Sequence, residues 1–426
     1  MLNRKVAPKI TDAVEFHLAL PPYQKHILKN GVEIYAIDLG TQDTLLVNWV
    51  FFAGNWYEEK NLVASATNYL LKNGTKTRSA FEINEHFEYY GAYLNRSCQN
   101  ETAEITLHCL HKHVHELLPV VAELLTSSLF PLDELEIFKR NMQQRLQVSL
   151  MKNDFVAGRL IDAYVFGPEH PYGKYSSLED YASLQQPEIQ NFYRKYYQNG
   201  HCIIFVAGRL PGNLIQEMES CFGGLPLRSF EPGRIQHIIS PAKEKKYSVV
   251  NDPNGVQSAI RIARNFPNRH HPDFQKVQVL NNIFGGFFGS RLMANIREDK
   301  GYTYGIYSYL LNQIQESALM ISTEAGKEVA EATISEIYKE MQALRDKIID
   351  PEELQTTRNY MIGTLLGDLD GPFQVAGRWK SILLNGLDEK YFYNGINTIK
   401  SITPEEIQIL ANKYLLPEDF YELSVI

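Results

Sequence analysis

A block of sequence that occurs twice is the feature that most constrains the fold of this 426-residue chain. The Ala-Gly-Arg run that begins at Ala157 recurs at Ala376, an offset of about 219 residues. Each run follows a stretch with helical composition, opened by Pro131 in the first copy and by Pro351 in the second. A period of this length has the size of a domain rather than of a solenoid repeat.

Two further matches occur in the same order. The Pro-Glu start at Pro187 recurs at Pro404, and each copy then closes with a run rich in apolar, aromatic and β-branched residues, Cys202 to Val206 and Phe420 to Ile426. A proline followed by acidic residues is a common helix start, so one match alone would be ordinary. Three ordered matches at nearly one offset predict an internal duplication.

Each half carries strand-like segments first, helices next and a closing strand. Further predicted strands are Val32 to Ile37, Leu46 to Phe52 and the alternating run from Ala103 to Cys109. Predicted long helices are Val114 to Ser127, Glu134 to Lys152, Val329 to Leu344 and Glu353 to Leu366. We therefore expect an α+β fold with two tandem homologous domains, each a mixed, mainly antiparallel sheet of about six strands with helices on one face. The expected boundaries are residues 1–229 and 245–426, with a Pro/Gly/Arg/Lys-containing linker at 230–244.

Charge and composition exclude several classes of partner. The net charge of −8 and the pI near 5.9 give no electrostatic reason to bind nucleic acid or an anionic membrane. Four cysteines without C-x-x-C spacing predict neither a disulfide scaffold nor a thiolate metal site. No secretion signal or apolar stretch of membrane-spanning length is visible, so we expect a cytoplasmic protein.

Histidines crowd the segment around Glu116. His111 and His115 are four residues apart, a spacing that can chelate zinc on one helix face, but the H-x-x-E-H or H-E-x-x-H context is missing. A solvent-facing histidine cluster is the simpler interpretation, and the metal interpretation stays open.

The segment that ends at Gly74-Thr75 resembles the zinc-binding region of the insulinase-like, or pitrilysin-like, zinc peptidases, in the subfamily of the mitochondrial processing peptidase. There, a helix carries H-x-x-E-H, whose histidines bind zinc and whose Glu activates water, and a later Glu is the third ligand. By this resemblance the two His positions hold Ser65 and Tyr69, the Glu position holds Asn68, and the third ligand falls near Gln147. The resemblance therefore implies no metal and no cofactor in this chain.

The second half keeps a different family pattern. Ser290 to Tyr304 is similar to the family's S-R-L-x-x-x-L-R-E-x-x-G-L-x-Y, with its Arg at Arg297 and its Tyr at Tyr304. Ser290 is expected to cap a helix that Gly301 ends, so that Arg297 and Tyr304 flank a helix-to-strand turn. By resemblance, these two side chains donate hydrogen bonds to the carbonyl oxygen of a scissile peptide.

The resemblance implies the zinc-free subunit of a heterodimeric peptidase whose H-x-x-E-H partner holds the zinc. Such a chain would have no zinc-dependent activity alone and would bind peptide or unfolded polypeptide with its partner, or with a second copy of itself. The alternative is a non-catalytic scaffold or peptide-binding core subunit, comparable to the family's members in a respiratory complex. A scaffold would not require Arg297 and Tyr304.

Overall fold

The computed structural model describes residues 16–229 and 235–426. They form two compact units. The N-terminal unit comprises Pro21–Lys243 with Gly371–Lys380, and the C-terminal unit comprises residues 16–20, Glu244–Asp370 and Ser381–Ile426.

A six-stranded mixed sheet organises the N-terminal unit. Its strands are β1 (Gln24–Ile27), β2 (Glu33–Asp38), β3 (Thr44–Phe51), β4 (Tyr93–Cys98), β5 (Ala103–Leu110) and β6 (Cys202–Gly208). Their spatial order is β1-β2-β6-β3-β5-β4, in which only β2 and β6 pair in parallel. Strand β4 is therefore an edge strand.

The sheet of the C-terminal unit has five strands in the described residues. They are β7 (Lys246–Val249), β8 (Gln257–Phe266), β9 (Thr303–Asn312), β10 (Ser317–Gly326) and β11 (Tyr421–Val425). Their order is β7-β11-β8-β10-β9, with β7 and β11 parallel and the other neighbours antiparallel. This order and sense match β2-β6-β3-β5-β4, which is the relation that a duplicated chain predicts. A counterpart of β1 would precede β7, where residues 235–245 form no strand.

Most helices of each half lie between its antiparallel strands and its closing strand, β6 or β11. The helices are α1 (Val63–Leu70), α2 (Ala80–Tyr89), α3 (Val114–Ser127), α4 (Leu132–Leu150), α5 (Asn153–Phe166), α6 (Leu178–Ser183), α7 (Gln186–Tyr193), α8 (Leu214–Phe222), α9 (Phe274–Asn281), α10 (Ala330–Asp346), α11 (Pro351–Gly367), α12 (Pro372–Leu384), α13 (Glu389–Ser401) and α14 (Pro404–Tyr414). The α+β class with two similar domains is therefore confirmed.

Alternation along the strands explains the position of the core. In β3, Trp49 and Phe51 are fully buried on one face and meet aromatic side chains of the helical layer, Phe222 at 5.3 Å and Tyr197 at 4.9 Å between ring centroids. Successive strand residues point to opposite faces, so a single apolar face suffices to anchor this layer.

The expected domain boundaries differ from the observed units at two places. Residues 235–243, expected in the linker, belong to the N-terminal unit. Their main chain is tied to it: Ser240 N–H donates to the Phe166 carbonyl at 3.1 Å and Ala242 N–H to the Tyr164 carbonyl at 2.9 Å. The last linker residue, Glu244, belongs to the C-terminal unit, and linker residues 230–234 lie outside the described residues.

The first part of α12 also belongs to the N-terminal unit. Trp379 Nε1 donates to the Pro21 carbonyl at 2.7 Å, and Lys380 Nζ lies 2.7 Å from Glu104 Oε2 and 3.3 Å from Asn48 Oδ1. The sequence placed these residues in the second domain because linear order cannot show which sheet a helix covers.

Within residues 16–229 and 235–426, no helix is both long and apolar enough to cross a membrane.

Candidate functional site

The segment from Arg291 to β9 folds into a tight helix-to-strand turn. Its helix is π-helical over Met293–Asp299, and β9 begins at Thr303. Between them Gly301 has a φ of +64°, a left-handed conformation that glycine adopts without steric cost. π-helical turns widen the backbone and are frequent at functional sites. The predicted turn is therefore present, and Gly301 ends the helix as expected.

Ser290 does not cap this helix as the sequence suggested. Its hydroxyl is buried and has no hydrogen-bond partner among the described residues. The main chain holds the first turn instead, through the Ala294 N–H to Ser290 carbonyl bond of 2.9 Å. The sequence cannot show this, because a cap depends on the side-chain rotamer.

Arg297 and Tyr304 are brought together by this turn. Arg297 Nε donates to the Tyr304 carbonyl at 2.9 Å, and its guanidinium carbon lies 4.6 Å from the ring centroid of Phe288 and 5.8 Å from that of Tyr304. Its Nη1 lies 3.8 Å from Glu298 Oε1. One edge of the guanidinium is thus fixed by a main-chain bond and its plane by aromatic stacking.

Tyr304 is 94% exposed, which is unusual for an aromatic side chain in a strand. Its exposure follows from a break in the register between β9 and β10, where the pairing shifts between Thr323 and Ala325. A β-bulge of this kind re-aims a side chain away from the sheet. The phenol is therefore presented to solvent beside the Arg297 guanidinium.

Two threonines hold the bulge. Thr323 Oγ1 donates to the Gly305 carbonyl at 2.9 Å and lies 2.8 Å from Thr303 Oγ1, which donates to the Glu324 carbonyl at 2.7 Å. These residues and Phe288 were missed by sequence reasoning. Thr303 could have been found, because it stands between two tyrosines of the motif, but Thr323 and Phe288 carry no local signal.

A groove of about 490 Å³ lies on this side of the C-terminal unit. Tyrosines, one carboxylate and small residues line it: Tyr302, Tyr304, Tyr307, Glu324, Gly305 and Gly326. The exposed phenol of Tyr304 thus stands at the edge of a space large enough for a few residues of extended chain.

The side chains at the zinc-motif positions of the N-terminal unit contact other residues of the same unit. Ser65 Oγ donates to the Leu62 carbonyl at 3.1 Å, and buried Asn68 donates to the Tyr197 hydroxyl at 3.1 Å. Tyr69, also on α1, packs its ring against Phe138 at 4.8 Å. Gln147 lies exposed on α4.

This donor set does not fit zinc. Serine and tyrosine hydroxyls and two amides offer no neutral imidazole, thiolate or carboxylate to the metal. The Asn68 amide, moreover, is committed to Tyr197 and cannot take a proton from water. In the described part of the chain, no three His, Cys, Asp or Glu side chains are grouped so that they could hold a metal ion.

The histidine cluster near Glu116 has its own local contacts. His115 Nε2 lies 3.3 Å from Glu116 Oε1, and His111 Nε2 lies 3.9 Å from Asp43 Oδ1. His111 and His115 line a cavity of about 220 Å³ together with Glu217. These are local contacts between polar side chains near the surface of the N-terminal unit.

Comparison with known proteins gives two family matches at successive parts of the chain. Residues 38–166 match the family described as Insulinase (Peptidase family M16), and residues 183–361 match the one described as Peptidase M16 inactive domain. The chain belongs to peptidase family M16.

Relatives in sequence span nearly the whole chain. The chain is 25% identical over 409 residues to an uncharacterized zinc protease, YmxG, of Bacillus subtilis, covering 95% of this chain and 98% of that protein. It is 22% identical over 397 residues to an uncharacterized zinc protease of Rickettsia bellii, covering 90% of each. The resemblance to this peptidase family is therefore confirmed.

Solved structures share the fold. A peptidase M16 inactive domain from Pseudomonas fluorescens superimposes with a TM-score of 0.82 at 21% identity, over 95% of this chain and 98% of that one. A protease from Helicobacter pylori gives a TM-score of 0.85 at 18% identity, over 96% and 100%. A chain of complex III2 from Candida albicans gives 0.73 at 14%, over 94% and 95%.

Proposed function

We propose that this chain is the zinc-free subunit of a two-subunit M16 peptidase, and that it supplies Arg297 and Tyr304 to the zinc site of an H-x-x-E-H partner. The observation that carries the proposal is the pairing of an almost fully exposed Tyr304 phenol with an Arg297 guanidinium fixed beside it. A tyrosine that is exposed, yet held in place by neighbouring contacts, is expected where its hydroxyl binds a partner or a substrate.

Both groups are hydrogen-bond donors suited to an oxyanion. Arg297 Nε donates to the Tyr304 carbonyl, which leaves the Nη groups for a ligand. Among the described residues, only Nη1 has a carboxylate at ion-pair distance. The Tyr304 hydroxyl supplies a further donor. When bound in the partner, zinc would polarise the scissile carbonyl and activate water. This chain's two donors would stabilise the charge that develops on the carbonyl oxygen.

Three further features support the proposal. The family positions for zinc ligands hold residues that do not fit the metal, so a complete site requires a second chain. The groove beside Tyr304 offers space for a peptide in extended form, and β4 and β9 are edge strands of their sheets in the described residues. The relatives in sequence are described as zinc proteases. We further propose that the pair works in the cytoplasm.

A scaffold or peptide-binding core subunit is the second candidate. The fold shared with a chain of complex III2 favours it, because that chain is one component of a larger complex. A scaffold needs neither the exposed phenol nor the fixed guanidinium, so the two candidates predict different results for the same variants.

The test is peptide hydrolysis by a co-expressed H-x-x-E-H subunit of the same family, measured with and without this chain. We expect activity only in the mixture. Tyr304→Phe removes one hydroxyl and should lower kcat about 10²- to 10³-fold, as the loss of one oxyanion donor typically does. Arg297→Ala should do likewise and also raise KM.

Tyr89→Phe is the matched control, because Tyr89 is an exposed tyrosine on α2, outside the groove. It should leave the rate unchanged, and the elution volume of each mixture on size exclusion should match that of the wild type. The isolated chain should contain far less than one zinc per molecule. A partner that is fully active alone and insensitive to Tyr304→Phe would establish the scaffold instead.

A further inference from the structure

A guanidinium lies against the degenerate zinc motif. Arg96, on the edge strand β4, donates from Nη1 to the carbonyl of Tyr69, and its guanidinium carbon is 5.3 Å from the Tyr69 ring centroid. Tyr69 holds the second histidine position of the motif. A built-in cation therefore stands beside the place where the family carries a metal cation.

The described part of the chain gives this guanidinium no acidic partner. Among the described residues, no carboxylate lies at ion-pair distance from Arg96 or from the nearby Lys72, and the one hydrogen bond of Arg96 is to the Tyr69 carbonyl. Glu88 is the acidic group that acts on Lys72, and it does so from beyond ion-pair distance. Arg96 and Lys72 thus lie close together and half-buried, and neither forms an ion pair with a carboxylate of the described residues.

Burial and mutual repulsion act on both groups. Burial lowers the pKa of Arg96 to about 10. The pKa of Lys72 is lowered first by burial and then by the charge of Arg96. A partly desolvated cation without a partner costs free energy that a well-packed apolar residue would not. Arg96 also uses one of five N–H donors, so most of its hydrogen-bonding capacity is free for a ligand.

Arg96 and Lys72 form a local positive site on a chain whose net charge is negative. Because the chain carries a net charge of −8, general surface electrostatics repel acidic ligands. An acidic ligand would therefore bind only where cations are held locally. Neighbouring Tyr93 is 64% exposed on the same edge strand, whose outer backbone groups have no strand partner among the described residues.

We propose that Arg96 and Lys72 form a carboxylate-binding subsite beside edge strand β4, which takes an acidic side chain or the terminal carboxylate of an extended peptide. The proposal rests on the peptide binding proposed above and names the chemistry of the peptide. The guanidinium plane would pair with the carboxylate in bidentate fashion, and Lys72 would add a second charge. The exposed edge would hold the peptide main chain.

The experiment measures binding of fluorescein-labelled peptides to the full-length isolated chain by anisotropy. Three otherwise identical, uncharged peptides of about ten residues carry one Glu with an amidated C-terminus, one Gln with an amidated C-terminus, or one Gln with a free C-terminus. We expect the Glu peptide or the free C-terminus to bind about tenfold more tightly than the Gln amide, in line with a charge-assisted hydrogen bond. Which of the two binds identifies the source of the carboxylate.

Lys72→Gln should abolish that preference, and Arg96→Met should do the same while raising the melting temperature or leaving it unchanged. Lys76→Gln is the matched control, because Lys76 is exposed four positions away and has no ion pair among the described residues. Arg96→Lys should retain part of the preference, and Lys72→Gln decides the outcome if Arg96→Met does not fold.

Equal affinities for the Glu, Gln and free-carboxylate peptides would overturn the subsite and leave peptide binding intact. An equal loss in Lys76→Gln would also overturn it, because the preference would then be general electrostatics. Binding of none of the peptides would count against both proposals. If the chain prefers carboxylate-bearing peptides but the hydrolysis rate does not respond to Tyr304→Phe, only the catalytic role is rejected.

Discussion

At the residue scale, the exposure of Tyr304 depends on a buried side chain. Tyr304 is exposed because the bulge beside it is closed by Thr323, whose hydroxyl donates to the Gly305 carbonyl and contacts Thr303. Thr323 is itself 4% exposed, so its hydroxyl is satisfied only inside the protein. In the function proposed above, Thr323 is a positioning residue.

Thr323→Val keeps the shape of the side chain and removes the hydroxyl, which leaves the Gly305 carbonyl and the Thr303 hydroxyl without this partner. We expect a loss of about 1 to 2 kcal/mol in unfolding free energy and a fall of about tenfold in partner-dependent kcat. Urea unfolding and peptide hydrolysis measure the two effects. Thr323→Ser should restore the rate, whereas a purely structural role predicts that kcat stays at the wild-type value in all three proteins.

At the scale of elements, the turn between the π-helical segment and β9 depends on backbone conformation. Gly301 has a φ of +64°, and an added Cβ would meet no atom within 4 Å. The need for glycine is therefore conformational and not a matter of space. Gly301→Ala should cost about 1 kcal/mol, because an L-residue is disfavoured in the left-handed region.

Gly363→Ala provides a control of opposite sign. Gly363 lies exposed inside α11, where a Cβ would likewise meet nothing within 4 Å. Alanine there should stabilise the protein by about 0.5 to 1 kcal/mol, since glycine is a poor residue in a helix interior. Urea unfolding of both variants separates the two effects, and a stabilising Gly301→Ala would refute the conformational argument.

At the scale of the whole molecule, two buried groups give the stability opposite dependences on pH. Burial, followed by the nearby His237, lowers the pKa of His170 to about 4. Its Nδ1 accepts the Tyr172 N–H at 3.2 Å, and its buried Nε2 has no partner among the described residues. Burial raises the pKa of Glu58 to about 7, although its carboxylate accepts the N–H groups of Leu62 and Ala64.

The signs follow from proton uptake. As the pH falls from about 6.5 to 4, unfolded His170 takes up a proton that the folded state resists, so acidification destabilises the fold through this group. As the pH rises from about 4.5 to 7, unfolded Glu58 loses a proton that the folded state retains, so alkalinisation destabilises it. The two contributions oppose each other in the same pH window.

Single substitutions should separate them. Glu58→Gln should leave a protein whose unfolding free energy rises between about pH 4.5 and 6.5, and His170→Asn one whose unfolding free energy falls there. Asn is chosen because its Oδ1 can replace His170 Nδ1 as the acceptor from Tyr172. Urea unfolding at several pH values measures the slopes, and parallel curves for the two variants would disprove the assignment.

The sequence alone determined the α+β class, the extent of α3 and the approximate position of the long helices and central strands. Those features depend on the local spacing of apolar residues. Short-range sterics and the burial of one apolar face make a segment with that spacing a helix or a strand. The sequence also determined that Arg297 and Tyr304 lie close together. Gly301 ends the helix between them, so the chain turns there and few backbone conformations separate the two residues. The replacement of the zinc-motif side chains by Ser65, Asn68 and Tyr69 could likewise be read from their identities.

Only the tertiary structure decided what depends on contacts between distant segments. The placement of residues 371–380 on the N-terminal sheet, the Thr323 support of the Tyr304 bulge and the free hydroxyl of Ser290 have no local signature. The same holds for Arg96, which is separated from Tyr69 in the chain and reaches it because β4 lies beside α1. Pairing across a sheet and packing of a helix on it are set by the burial of apolar surface over the whole fold, and a local pattern does not specify which partner is chosen.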